Sequence, residues 1–390
     1  MTATVQSSAE RPASASAGAS TWGVSWSGLR TVATLELRQR VRSTRWIVVL
    51  VVWFVALLGL TLLVRSAVHA SLGPGNSAPG VNSQALDEYA AATVFGIVVF
   101  LVLALGGLVA PALTATSVNG DRSAGVLAAL QTTLLTPAEI ALGKLLAAWV
   151  TALALLAAAL PVLGWAYLDG GTPAARLLTT LAVLALTLLV VCAIGLGWSA
   201  VAARTSSSTV LTYLSVLFLG LGLPILFGLT APLVRETRTV QVRQMGPPEV
   251  GPNGDPTGPG KCTIVTEPRS EFRTDRTWWL LAANPFVVVA DSAPPVRLTG
   301  AFGIGDPLTA IRDGVRGLRL GPEAVVDECF GSEESYQEAE RARQRAADAL
   351  PATWPYGLGL DLVLGAAFAV VAVRRLRAPA RTLARGTRVA

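Results

Sequence analysis

The chain has 390 residues, of which 52% are hydrophobic and only 14% charged, with a net charge of +6 and a mean hydropathy of +0.54. A soluble domain carries about 25% charge; here the deficit gathers in uncharged windows of 19 or more residues, the length a helix needs to cross about 30 Å of hydrocarbon. An ordinary soluble enzyme, a disordered protein and a secreted domain whose one apolar run is a signal peptide are all excluded.

Residues 1–28 are rich in Ser, Ala, Thr and Gly, without an apolar run or a cleavage pattern, and are expected to form a disordered cytoplasmic tail. In the next stretch Leu29, Val32, Leu35, Leu37 and Val41 mix with Arg38, Arg40, Arg42 and Arg45, which predicts a helix lying in the membrane interface. The first span is the run of 19 uncharged residues between Arg45 and Arg65. The second covers roughly 92–115, the third lies between Lys144 and Asp169, and the fourth between Arg176 and Arg204. The fifth lies between Arg204 and Arg235, with Pro224 as a bend that membrane helices tolerate, and the sixth runs from about Trp354 to Val373. The predicted fold class is an all-α polytopic membrane protein with six transmembrane helices, cytoplasmic termini, and an external domain between spans five and six. In domain terms, 29–234 holds the interfacial helix and spans one to five, 235–353 the extracytoplasmic domain, 354–375 span six, and 376–390 a basic cytoplasmic tail.

The orientation rests on arginine. Four precede the first span and six follow the last, and both flanks belong in the cytoplasm. The 14 uncharged residues 277–290 are therefore not a seventh span, since a further crossing would move the basic tail to the other side; they are expected to pack in the external domain or against the bilayer surface. With this topology the cytoplasmic segments hold 15 Lys and Arg against four acids, and the rest holds 16 against 21. The surplus thus argues orientation and gives no evidence for nucleic acid.

The external segment carries Cys262 and Cys329, and an oxidising compartment favours a disulfide between them. That bridge closes a loop of about 67 residues and is expected to contribute roughly 3–4 kcal/mol. Cys192, mid-span, reads as a small packing residue. Neither external cysteine has a Cys or His at ligand spacing, so no metal site is expected. The stretch 254–263, GDPTGPGKCT, imitates a phosphate-binding loop but has Asp255 where glycine is needed and Cys262 where Ser or Thr is needed. With one histidine, His69, and no catalytic constellation, the chain is not expected to be an enzyme or to bind a cofactor itself. Residues 332–350 predict an exposed helix with the pairs Glu338–Arg341, Glu340–Arg343 and Arg345–Asp348. Asp361 is the one acid placed in the bilayer zone, which makes it a possible pathway residue.

The most informative stretch is the cytoplasmic loop 117–144. Val126, Leu127, Leu130 and Leu134 recur at helical spacing, and Thr136-Pro137-Ala138-Glu139 has the form of a fresh helix start: cap, first-turn proline and returning acid. Together they describe an amphipathic element outside the membrane, joined to two spans. The loop resembles the signature of type 2 ABC-exporter permeases through Asp121-Arg122, Gly125, Leu127, Leu134-Leu135-Thr136-Pro137, Glu139-Ile140 and Gly143-Lys144. It departs from that signature at Asp121, Val126 and Ala128, where Glu, Thr and Glu are usual, and is one residue shorter than the longer variant before Glu139.

The resemblance implies a transmembrane permease subunit of an ATP-driven exporter in a bacterial plasma membrane, paired with a second permease copy or homologue. ATP and magnesium would be bound by a separate ATPase subunit. Asp121, Arg122, Gly125, Leu127, Thr136, Pro137, Glu139 and Lys144 would belong to the element coupling to that ATPase, and the interfacial helix to a second contact. A membrane-anchored structural or signalling protein with an external partner-binding domain, and a secondary transporter, are the alternatives.

Overall fold

Each long uncharged run of the sequence becomes a helix. The structure is a computed structural model describing residues 22–41, 44–72, 83–126, 135–169, 174–246, 249–250, 256–258, 261–293, 307–323, 325–329 and 333–377. In order come α1 (Trp26–Val41), α2 (Thr44–Leu72), α3 (Ser83–Thr114), the short α4 (Asn119–Ser123), α5 (Pro137–Asp169), α6 (Ala174–Val201) and α7 (Thr205–Leu217). A π-turn over Phe218–Gly222 joins α7 to α8 (Leu223–Thr230), so span five is one helix interrupted just before Pro224. Among the described residues six stretches are long and apolar enough to cross a membrane: Trp46–Ser71, Leu86–Ser123, Pro137–Asp169, Leu177–Val201, Thr205–Val234 and Trp354–Arg375. The expected tail 1–28 falls largely outside the described residues, although α1 already begins at Trp26; most of 376–390 and of the Pro/Gly-rich stretch after Met245 also lie outside them.

The middle of the bundle is built on small residues. Ala147, Ala148, Ala152 and Ala159 of α5 are fully buried, and Val98, Val99 and Val102 of α3 and Leu184 and Leu188 of α6 fill the space around them. In lipid, where hydrocarbon competes for every apolar side chain, close backbone approach of this kind supplies the packing energy. By contrast α2 and span five leave most of their apolar surface uncovered.

The segment between spans five and six corrects the all-α expectation. It holds a three-stranded sheet in the order β4-β1-β5. Here β1 (Arg235–Met245) pairs antiparallel with β4 (Cys262–Phe272), from Arg235 opposite Phe272 to Met245 opposite Cys262, and β5 (Val325–Asp327) lies parallel along Gln241–Arg243. A small separate ladder joins β2 (Glu249–Val250) and β3 (Pro256–Gly258). Val240 and Val242 alternate with Thr239, Gln241 and Arg243, so one face of β1 is buried and the other wet, as a two-residue period requires. The sheet brings the start of β4 beside the residues after β5, and Cys262 and Cys329 form the disulfide, their Cα atoms 5.8 Å apart. Arg238–Glu271 at 2.8 Å ties β1 to β4, and Arg269–Glu328 at 2.7 Å ties β4 to the residues after β5. The hydrogen-bonded Arg269 guanidinium holds the Glu328 carboxyl below its usual value.

The uncharged segment 277–290 becomes α9 (Trp279–Ala282) and α10 (Pro285–Ser292). Asn284 caps α10, its Oδ1 accepting from Phe286 N at 2.8 Å, with Pro285 opening the first turn. The sequence reading expected this segment to pack in the external domain or against the bilayer surface; α10 is buried, and Val288, Val289 and Ala290 share one core with α3, α5 and α6. Next come α11 (Pro307–Leu320), α12 (Glu333–Ala349) and, as span six, α13 (Trp354–Arg375). Two of the pairings read along α12 are taken by other elements: Asp348 binds Arg312 of α11 at 2.8 Å, and Arg343 faces Glu323 at 3.8 Å.

Candidate functional site

The site is the junction where the loop after span two enters span three. Its first component is local. Glu139 Oε2 accepts from Thr136 N at 2.8 Å while Thr136 Oγ1 accepts from Glu139 N at 3.2 Å, the reciprocal pair that closes a helix start. Pro137 opens α5, a position where a missing N–H costs nothing. The second component comes from far away in sequence. Ser25 caps α1, its Oγ accepting from Gly28 N at 3.0 Å, and donates to Glu139 Oε1 from both N at 2.8 Å and Oγ at 2.6 Å. One buried carboxylate thus closes the first turns of two helices, where the positive ends of both dipoles favour it. Replacing Glu139 with Ala is expected to cost roughly 1 kcal/mol or somewhat more, the range for a lost cap. It should also raise proteolytic cleavage around α1 first, because the docking of that helix is what Glu139 holds.

Lys144, two turns into α5, is the centre of the junction. Its side chain is 2% exposed, and Nζ lies 2.5 Å from Glu36 Oε1 of α1 and 2.6 Å from Asp121 Oδ2 of α4. Gly143 lets this happen: a Cβ there would meet Val32 Cβ at 2.6 Å, so α1 and α5 touch backbone to backbone one residue before the lysine. Arg40 extends the series. It lies 3.7 Å from Glu36 and donates from Nη1 to Thr151 Oγ1 at 3.1 Å. Burial lowers the Arg40 guanidinium from its usual value, against the opposing pull of Glu36. Arg40, Glu36, Lys144 and Asp121 therefore alternate in sign through a partly dry space, each cation beside an anion.

On its other side the junction is tied to span four. Ser199 Oγ accepts from Val118 N at 2.9 Å and Asn119 N at 3.3 Å, and Asn119 Nδ2 donates to Arg204 O at 3.4 Å. After α4 the chain turns back at Gly125, whose φ of 72° is one that residues with a Cβ rarely adopt.

The residues singled out from sequence fall into two groups. Asp121, Thr136, Pro137, Glu139 and Lys144 are brought together, and Gly125 ends the turn beside them. Arg122 and Arg38 stay on the surface, and among the described residues neither side chain has a bonded partner. Leu127 and Arg42 lie outside the described residues, as does the side chain of Arg45. Arg40, read with the other arginines as charge on the interfacial helix, points into the bundle. Ser25, Glu36, Asn119 and Ser199 escaped the sequence reading. Only Glu36 gave a signal, as the one acid in a helix otherwise charged by arginine.

A family model described as ABC-2 family transporter protein matches residues 30–247, from α1 through span five and along β1. The chain belongs to the ABC-2 transporter family. No curated protein matches it. Membership and the six apolar stretches together make this a multi-pass membrane protein of a transporter family. Apart from Ser25 and the first turn of α1, the junction described above lies within the matched region, whereas α9 to α13 lie beyond it.

Two further features of this ABC-2 chain lie in its spans. An apolar groove of about 680 Å³ runs between span two and span five, lined by Gly107, Leu108, Tyr213, Leu217 and Leu221 and by Phe286 of α10. Tyr213 donates across it to Leu108 O at 3.0 Å. Asp361 of span six is 1% exposed, and among the described residues neither of its carboxylate oxygens has a hydrogen-bond partner.

Proposed function

We propose that the chain is the membrane permease subunit of an ATP-driven exporter, coupled to a separate ATPase subunit through the loop 117–144. The observation carrying this reading is the buried junction of Glu139 and Lys144, which makes α1, α4 and the start of α5 one mechanical block. A push on the loop surface is then delivered to span three through α5, to span four through Asn119 and Ser199, and to α1 through Glu36. Without those bonds the loop would yield locally and the spans would stay still. In this account Asp121, Glu139 and Lys144 position the element, and the surface residues around Arg122 and Gly125 meet the ATPase.

ATP and magnesium bind the partner, and this chain contributes no catalytic group. A second permease copy or homologue completes the pathway, for which the groove between spans two and five and Asp361 are the candidate walls. Both termini face the cytoplasm of a bacterial cell and 235–353 lies outside the plasma membrane, as the arginine flanks and the disulfide favour.

Co-purification with an ATPase subunit, lost when residues 121–139 are replaced by a Gly/Ser linker, is the expected result. Vesicle uptake driven by a proton gradient and indifferent to ATP would overturn the reading in favour of a secondary transporter.

A further inference from the structure

The break in span five has a specific chemical cause. In a continuous α-helix the carbonyl of Gly220 would receive the N–H four residues on, but that residue is Pro224, which has none. The chain answers with a π-turn over Phe218–Gly222, in which Leu223 N reaches back to Phe218 O. The donor missing at Gly220 comes from outside the helix: Asn284 Nδ2 donates to Gly220 O at 2.7 Å. Asn284 is 2% exposed, and its other atom, Oδ1, caps α10. One side chain thus joins the weak point of span five to the first turn of α10.

The far end of α10 is joined to span six in the same manner. Asp291 Oδ2 accepts from Thr353 N at 2.5 Å and Trp354 N at 3.0 Å, the amides at the start of α13. Its second oxygen, Oδ1, takes Arg316 Nε of α11 at 2.6 Å, and both side chains are buried. Between the two joints α10 is only eight residues long and its body is packed in the core. A short rigid helix fixed at each end by buried hydrogen bonds moves as a unit.

The geometry points to α10 as a strut that couples span five to span six, with Asn284 and Asp291 as its two joints. Phe286 of the same helix lines the apolar groove, so displacement at the π-turn alters that lining and the start of span six together. The strut deepens the permease reading and rests on it for its purpose, but the mechanical coupling can be tested without transport or ATP.

The experiment is a distance measurement between spin labels on Cys at Leu229, at the end of α8, and at Tyr356, in the first turn of α13, both exposed. The background is the full chain carrying Cys192→Ala with its disulfide intact. Asn284→Ser keeps an oxygen to cap α10 but cannot reach Gly220, and Asp291→Ala removes the other joint. Each variant alone should abolish the single narrow distance of the parent, and the double variant should look like either single, because a strut cut at one end no longer couples. A distance unchanged in Asn284→Ser, or a double variant that adds the two single effects, overturns the proposal. Asp291→Ala is the variant most exposed to misfolding; if it does not fold, Asn284→Ser decides the matter alone through the same distance. Loss of the narrow distance with ATP-independent uptake would keep the strut and reject the permease reading.

Discussion

Replacing Lys144 with Met is expected to destabilise the chain by about 3 kcal/mol, the lower end of the range for breaking a buried ion pair. The lower end applies because Glu36 and Asp121 keep 22% and 29% of their side-chain surface, so water recovers part of their solvation. The loss comes from what is left behind more than from what is removed: methionine fills the volume, but two carboxylates then face each other with no cation between them. The same logic predicts a rescue. Lys144→Met combined with Glu36→Gln and Asp121→Asn should recover most of the loss, since a neutral, well-packed replacement of a buried charge group is often no less stable than the original. Chemical denaturation of the purified chain measures both. A triple variant as unstable as the single would mean that the two unpaired carboxylates are not the source of the loss. Should the triple variant be stable yet fail to retain the ATPase, the charges themselves orient the junction, and the positioning role of Lys144 is established separately from its energetic one.

What could be read from sequence follows from how local the controlling physics is. A span needs only an uncharged run, so six were legible, and the helix start at Thr136 was legible because its cap, proline and acid are neighbours in sequence. The groups that fix the junction are not neighbours. Ser25 and Glu139 are 114 residues apart, and nothing in the composition of either stretch names the other. Arg40 read as one more surface arginine, because the direction of a side chain on a short helix depends on which face α5 covers. The alternation of Val240 and Val242 with polar residues carries the two-residue period of a strand, but over so few residues that it is weak beside the membrane runs. Asn284 caps α10, and its second bond exists only because Pro224, 60 positions away, deprives Gly220 of a donor.

Asp361→Ala is expected to raise stability by about 1–3 kcal/mol, the cost of a buried polar group left without a partner. The carboxyl sits on the face of α13 between Gly357 and Gly365, one turn from each. At Gly357 a Cβ would collide with the carbonyl of Ala282, and at Gly365 it would reach Val190 Cα at 3.3 Å. The helix is therefore held closest to its neighbours on either side of an acid that bonds to neither. Alanine fits that space and removes both unsatisfied oxygens, whereas Asp361→Asn keeps the shape and the polarity and should gain little. Heat denaturation of the two variants in one detergent separates the effects. If alanine weakened the fold, the carboxyl would have a partner beyond the described residues. Stability and transport should then be compared in the same variant. A residue retained in a membrane helix at a cost to the fold is expected to serve the pathway, so a more stable Asp361→Ala chain that transports less would assign the carboxyl to the pathway. Full transport with higher stability would remove Asp361 from it and leave the groove between spans two and five as the remaining wall.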